Sequence, residues 1–254
     1  MNRRSFSVAL VAGAAASVLS SRGNAQPASS ARNVVLVHGA YADGSCWSEV
    51  IARLQTAGMR ATAVQNPLTS LADDVEATRR ILALQDGPTV LVGHSWAGTV
   101  ISEAGEAPNV TALVYIAARA PDAGEDFVAL AGGFPTPPGR AGIHETDGVL
   151  ALSEEAFVRD FAGDVPRPRA RVLYAAQQPA AAALFASRTS VAAWRTVPSW
   201  YAVSTEDRII APELQRFLSR RMKATAIELV ASHLSMISHA REVAELILAA
   251  AAGR

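Results

Sequence analysis

Cysteine occurs once in the 254 residues, at Cys46, which excludes an intramolecular disulfide even in an oxidising compartment. Charge is scarce as well: Asp, Glu, Lys and Arg make up 18% of the chain and cancel to a formal net charge of zero. The first 25 residues hold Arg3, Arg4 and Arg22 and no acid, so without them 23 basic against 23 acidic residues becomes an excess of three acids. Such a balance implies no basic surface for nucleic acid. Long apolar runs are missing too. Residues 8–19 fall short of the roughly 20 that a membrane helix needs, and they are diluted by Ala and Gly. No segment repeats at a fixed period. What the chain does have is apolar residues, 50% of the total, enough for a substantial core and against general disorder.

Residues 1–25 read as a targeting segment. Asn2-Arg3-Arg4-Ser5-Phe6 is a charged start, 8–19 an apolar stretch, and Gly23-Asn24-Ala25 a set of small residues for cleavage. The Arg-Arg-x-Phe order resembles a twin-arginine signal; the alternative is an ordinary secretory signal whose arginines are only its basic region. The expected product is periplasmic or secreted, starts near Gln26 and keeps no stable membrane anchor. Intact-mass spectrometry of an exported fraction should find that start, and Met1 still in place would contradict it.

From residue 33 onward, strand and helix patterns alternate. Asn33-Val34-Val35-Leu36-Val37-His38-Gly39-Ala40 is a continuous apolar run ending in a glycine turn, as suits a strand buried on both faces of a parallel sheet. The spacing of Trp47, Val50, Ile51 and Leu54 predicts a helix over 46–57, with Gly58 as its stop. Further strands are expected at 59–64, 89–94, 110–117, 199–204 and 225–230, and helices at 71–85, 97–107, 212–221 and 240–251. The order is that of a doubly wound, mainly parallel α/β sheet of about six strands. Between 121 and 195 the texture becomes rich in Gly, Pro and acids, and it reads as a helical cap insertion with helices near 153–161, 170–188 and 190–194. The core is then 26–120 and 196–254.

The stretch Gly93-His94-Ser95-Trp96-Ala97-Gly98 sits where a buried strand gives way to a helix. A serine at such a tight strand-to-helix turn has its hydroxyl lifted clear of the sheet edge, in the layout of a nucleophile elbow. Serine is a weak nucleophile until a base takes its proton and a third group orients the base. Loops at the carboxyl ends of later strands are where this sheet would place them. There lie Asp207, with Glu206 as its competitor, and His233, whose competitors are His38, His94, His144 and His239. Asp207 is favoured for its short side chain in a tight turn. His38 and His94 read as hydrogen-bonding supports, and His239 as a capping or packing residue. Two backbone donors, the amides of Ala40 and Trp96, are expected to form an oxyanion hole.

Four motifs carry a resemblance: His38-Gly39-Ala40-Tyr41-Ala42-Asp43-Gly44-Ser45-Cys46-Trp47, Gly93 to Gly98, Asp207-Arg208-Ile209-Ile210-Ala211-Pro212-Glu213, and Ser232-His233. In this order they resemble the α/β-hydrolase superfamily, and within it the branch of plant methyl-ester esterases, hydroxynitrile lyases and their bacterial relatives. The resemblance implies a catalytic triad of Ser95, Asp207 and His233, a helical cap and no metal or other cofactor. Two positions depart from it. Ala97 stands where many members have Gly, and Leu234 where the lyases carry a lysine, which favours ester hydrolysis.

The implied enzyme is a serine esterase acting on a small uncharged carboxylic ester through an acyl-enzyme. C–C hydrolase, perhydrolase, lyase and non-catalytic binding chemistries on the same fold are the alternatives. Candidates to line the substrate pocket are His38, Phe134, Phe157, Phe161, Trp194 and Leu234, with Phe127 and Trp96 beside them; aromatics at such spacing also serve as cap core.

Overall fold

A computed structural model describes residue 1 and residues 31–254. The targeting segment expected at 1–25 therefore lies, residue 1 apart, outside the described residues. The chain runs through β1 (Asn33–Val37), α1 (Ser48–Thr56), β2 (Arg60–Val64), α2 (Leu71–Ala83), β3 (Thr89–His94), α3 (Ala97–Ala104) and β4 (Val110–Ile116). An inserted stretch follows, with α4 (Phe127–Ala131), β5 (Ile143–Thr146), β6 (Val149–Leu152), α5 (Glu154–Ala156), α6 (Arg167–Ala175) and β7 (Ala180–Ala181). The chain then returns through β8 (Ser199–Ser204), α7 (Pro212–Arg221), β9 (Thr225–Leu229), α8 (Ser235–Ser238) and α9 (Ala240–Ala251).

Six strands form one parallel sheet in the order β2-β1-β3-β4-β8-β9. Every residue of β1, β3 and β8 is buried, whereas the outer strands β2 and β9 expose part of their length. That difference follows from the covered position of the central strands, which accept only continuous apolar runs. Val34, Val35, Leu36, Leu91, Val92, Leu113 and Val114 are wholly buried. Each such side chain contributes about 1.5–3 kcal/mol relative to its exposed state. Helices α1 and α9 pack together, as do α2 and α3, and the two pairs flank the sheet.

The strand order reverses between β1 and β3: the chain steps from β1 outward to β2, then returns to the other side of β1. At such a switch the loops leaving two adjacent strands part, and a crevice opens at their carboxyl ends. The β1 loop carries Ala40 and the β3 loop carries Ser95.

Two local expectations are corrected. The helix expected over 46–57 starts later, because the Asp43 carboxylate accepts from the Ser45 amide at 2.6 Å and winds Gly44–Trp47 into a tighter 3₁₀ turn. In the insertion, short helices are accompanied by a three-stranded antiparallel sheet, β5-β6-β7. The helix expected at 170–188 ends at Ala175, since Gln177 bonds both the N–H and the carbonyl of Leu152 and Pro179 cannot continue a helix. Likewise, only Ala193–Arg195 of the last expected helix forms a 3₁₀ turn.

A buried carboxylate ties the insertion to the sheet. Asp160, in a π-helical turn at Phe157–Phe161, receives Arg159 Nη2 at 2.8 Å and, from the loop after β8, Arg208 Nε at 2.6 Å. The Arg159 hydrogen bond, with Arg208 and despite burial, holds its carboxyl below the ordinary value of 3.8. A depressed acid contributes stability above its unfolded pKa and loses it as pH falls through the folded one. Asp160→Asn should therefore lower Tm at neutral pH, and the gap to wild type should close as pH drops below the ordinary carboxylate value. Thermal scans across that range check this; a gap independent of pH would contradict it.

Candidate active site

Between the end of β3 at His94 and the start of α3 at Ala97, two residues reverse the chain. Ser95 adopts φ 54°, a left-handed conformation that costs a non-glycine residue about 1–3 kcal/mol. The surroundings hold it there: the Ser95 N–H donates to Ile116 O at 3.1 Å, and its carbonyl accepts from Gly98 at 3.1 Å and Arg119 at 3.0 Å. Close approach explains the glycines. A Cβ on Gly98 would lie 1.8 Å from the Arg119 carbonyl, and one on Gly39 would lie 2.7 Å from the Ser95 Cβ. Ala97 is fully buried, and Gly98 is the position where the turn has no room for a side chain.

Three side chains from three strand ends meet here. Ser95 Oγ lies 2.8 Å from His233 Nε2, and His233 Nδ1 lies 2.7 Å from Asp207 Oδ2. His233 is wholly buried, and Asp207 and Ser95 are 5% and 7% exposed, so the relay is dry apart from the serine's own opening. Asp207 is filled with donors. Oδ1 accepts from the Ile209 and Ile210 amides at 2.7 and 3.0 Å, and Oδ2 also accepts from Gln215 Nε2 at 2.7 Å. Glu206 points to solvent.

The other histidines fall apart in role. His94 Nε2–H donates to the His233 carbonyl at 3.0 Å, its ring centroid 4.7 Å from that of His233. Burial, and then the His233 charge, push its pKa well below the usual value, so it stays neutral. His38 Nε2 accepts from the Asn66 amide at 2.9 Å, and Asn66 Nδ2 donates to the His38 carbonyl at 2.9 Å. That clasp fixes the β1 loop; burial lowers the His38 pKa. His144 is exposed, and His239 stands at the N-cap position of α9, where its side chain meets Ser238 at 3.0 Å and makes no cap hydrogen bond to the helix.

Ala40 and Trp96 both border the cavity above Ser95, and neither amide is spent on the loop and turn hydrogen bonds around it. Trp96 is locked by its indole N–H, which donates to the wholly buried Asp74 at 2.8 Å; Asp74 also receives the Leu68 amide at 2.8 Å. Burial outweighs both hydrogen bonds and raises the Asp74 pKa.

The cavity measures about 420 Å³. Of the residues expected from the sequence, Phe127 and Trp96 line it, whereas His38, Phe134, Phe157, Phe161, Trp194 and Leu234 do not. Phe134 turns to Phe217 at 5.4 Å between centroids, and Trp194 donates its indole N–H to Pro121 O at 2.7 Å. Phe157, Phe161 and Leu234 border a second, much smaller cavity, and Phe161 lies against the His233 ring at 5.1 Å. Tyr41, Trp96, Phe127, Phe185, Ile209 and Leu214 are among the actual wall residues.

Three site residues escape sequence reasoning. Asp74 reads as an ordinary first-turn helix acid, and Gln215 as a helix polar residue. The one signal for Arg119 is a cation directly after an apolar strand, at the edge where sites form.

A parallel sheet with a strained serine at a strand-to-helix turn, hydrogen-bonded to a histidine and through it to an aspartate, defines the class of α/β-hydrolase folds. Residues 34–246 match the alpha/beta hydrolase family, and the chain belongs to it. It is similar to a probable hydrolase of Phoma sp., 26% identical over 200 residues covering 72% of this chain and 80% of that protein. It also resembles a carbendazim hydrolyzing esterase of Nocardioides sp., 33% identical over 112 residues, 39% of this chain and 46% of that protein. Among solved structures, polyneuridine aldehyde esterase superposes with a TM-score of 0.74 at 20% identity, covering 86% of this chain and 98% of that one. These likenesses agree with the esterase and lyase branch that the motifs resemble.

Proposed function

We propose that the protein is a serine esterase that cleaves small carboxylic esters through an acyl-enzyme. The observation that carries this reading is the unbroken line Ser95 Oγ to His233 Nε2 at 2.8 Å and His233 Nδ1 to Asp207 at 2.7 Å, opening into a cavity of about 420 Å³. The names of the Phoma and Nocardioides relatives support it.

In the proposed cycle His233 Nε2 takes the Ser95 proton as Oγ attacks the ester carbonyl. Negative charge then gathers on the carbonyl oxygen, where the Ala40 and Trp96 amides stabilise it. The imidazolium returns its proton to the departing alkoxide, leaving an acyl-serine. Water, deprotonated by the same nitrogen, attacks the acyl carbon, and as the acyl–oxygen bond breaks the imidazolium returns that proton to Ser95 Oγ and the acid leaves. Asp207 holds the ring so that the proton resides on Nδ1 and Nε2 is free to accept. Export, with a mature start near Gln26, belongs to the same proposal and rests on the sequence of residues 1–25 alone.

The test is hydrolysis of p-nitrophenyl acetate and butyrate by the purified protein, with the acid and alcohol products identified. Turnover with an initial p-nitrophenol burst stoichiometric with enzyme is expected when deacylation is the slower step. No turnover of either ester would sink the reading.

A further inference from the structure

One cation beside the nucleophile has no counter-ion among the described residues. Three arginines among the described residues are half-buried: Arg119, Arg216 and Arg221. Arg216 pairs with Glu228 at 2.8 Å and Arg221 with Glu125 at 2.6 Å. Arg119 forms no ion pair among the described residues, and its only side-chain hydrogen bond there runs from Nη1 to the Phe185 carbonyl at 3.3 Å. Residues 2–30 contain no Asp or Glu that might serve it.

The guanidinium is nevertheless fixed in place. The Arg119 amide donates to the Ser95 carbonyl at 3.0 Å, which ties this residue to the elbow. Its Cζ lies 4.7 Å from the centroid of Phe127, 5.3 Å from Phe185 and 5.4 Å from Trp96. Ring faces attract the cation and replace part of its lost hydration, but beyond the Phe185 carbonyl they give its forked N–H donors no acceptor. Arg140, also without an ion pair among the described residues, borders the same cavity, and no Asp or Glu does. Burial first, with the Arg140 charge adding to it, brings the Arg119 pKa down to about 10, so it is still protonated at neutral pH.

A partly desolvated cation in a cavity that holds no anion is costly unless a ligand supplies one. We propose that Arg119, assisted by Arg140, is an anion anchor, and that the preferred ester carries a carboxylate away from the scissile bond. This rests on the serine-esterase reading and replaces the uncharged ester expected from sequence. Between the two ends of such a substrate, Phe127, Ile209 and Leu214 offer apolar wall to a hydrocarbon spacer.

The experiment compares kcat/KM for a series of monomethyl dicarboxylates, from succinate to suberate, with the matching methyl ester amides, in which a neutral carboxamide replaces the carboxylate. At least one spacer length should favour the carboxylate by about ten- to a hundredfold, the usual gain of a charge-assisted arginine contact. Arg119→Gln should bring that ratio close to one, and Arg119→Lys should restore part of it. If Arg119 only braces the aromatic rings, its variants would slow both esters alike and leave the ratio intact, which overturns the proposal, as does a wild-type ratio near one at every length. Should the methyl esters turn over too slowly, the same ratio is read from inhibition of p-nitrophenyl acetate hydrolysis by the free acids and their amides. p-Nitrophenyl acetate bears no anion, so its turnover reports the underlying esterase. Its absence defeats both readings, whereas its presence without carboxylate preference defeats only the anchor.

Discussion

Ser95→Ala is expected to lower kcat for p-nitrophenyl butyrate by at least about four orders of magnitude, with little change in Tm. The substitution deletes the attacking oxygen and nothing that supports the fold. The left-handed turn stays pinned by main-chain bonds to Ile116, Gly98 and Arg119. The residual rate should come from the Ala40 and Trp96 amides polarising a carbonyl held in the cavity, with water as the nucleophile. Paired rate and melting measurements decide the matter: an activity loss under about a hundredfold would place the nucleophile elsewhere.

Asp207→Asn should cost about four orders of magnitude as well, although it changes neither size nor shape. The Ile209 and Ile210 amides, at 2.7 and 3.0 Å, require an oxygen at the Oδ1 position. The asparagine NH₂ is thereby forced to the side of His233 Nδ1 and of Gln215 Nε2, itself a donor. Donation from the amide to Nδ1 moves the imidazole proton to Nε2, where it faces Ser95 and blocks proton abstraction. Kinetics should thus show a collapse of kcat in a protein that stays folded, with Tm lowered by the buried donor-to-donor contact at Gln215, and raising pH should recover activity only through direct ionisation of the serine. Activity within tenfold of wild type would remove Asp207 from the proposed relay.

How much of this was legible without coordinates depended on what kind of constraint each residue obeys. The sheet was readable because β1 and β3 are buried on both faces, which forces an unbroken apolar run such as Val34 to Val37. The meeting of Ser95, Asp207 and His233 was readable for a related reason: a parallel sheet delivers the ends of β3, β8 and β9 to one edge. The cavity wall was legible only at Phe127 and Trp96. Phe127 opens α4 and Phe134 follows three residues past its end, yet Phe127 borders the cavity and Phe134 packs on Phe217. That choice is made by long-range packing in the insertion, where Gln177 caps a strand pair that no periodicity announces. Gln215 and Asp74 were hidden differently. Each is a polar residue on a helix, and only the tertiary structure shows that one supports Asp207 and the other anchors Trp96.

The central claim is that His233 activates Ser95 as a nucleophile. The most direct measurement is covalent labelling with a fluorophosphonate, followed by intact-mass and peptide mapping, in wild type and in His233→Ala. The account predicts one adduct per wild-type chain, on Ser95, formed at least about a hundredfold faster than in the variant. No adduct, an adduct on another residue, or equal rates in the two proteins would contradict it.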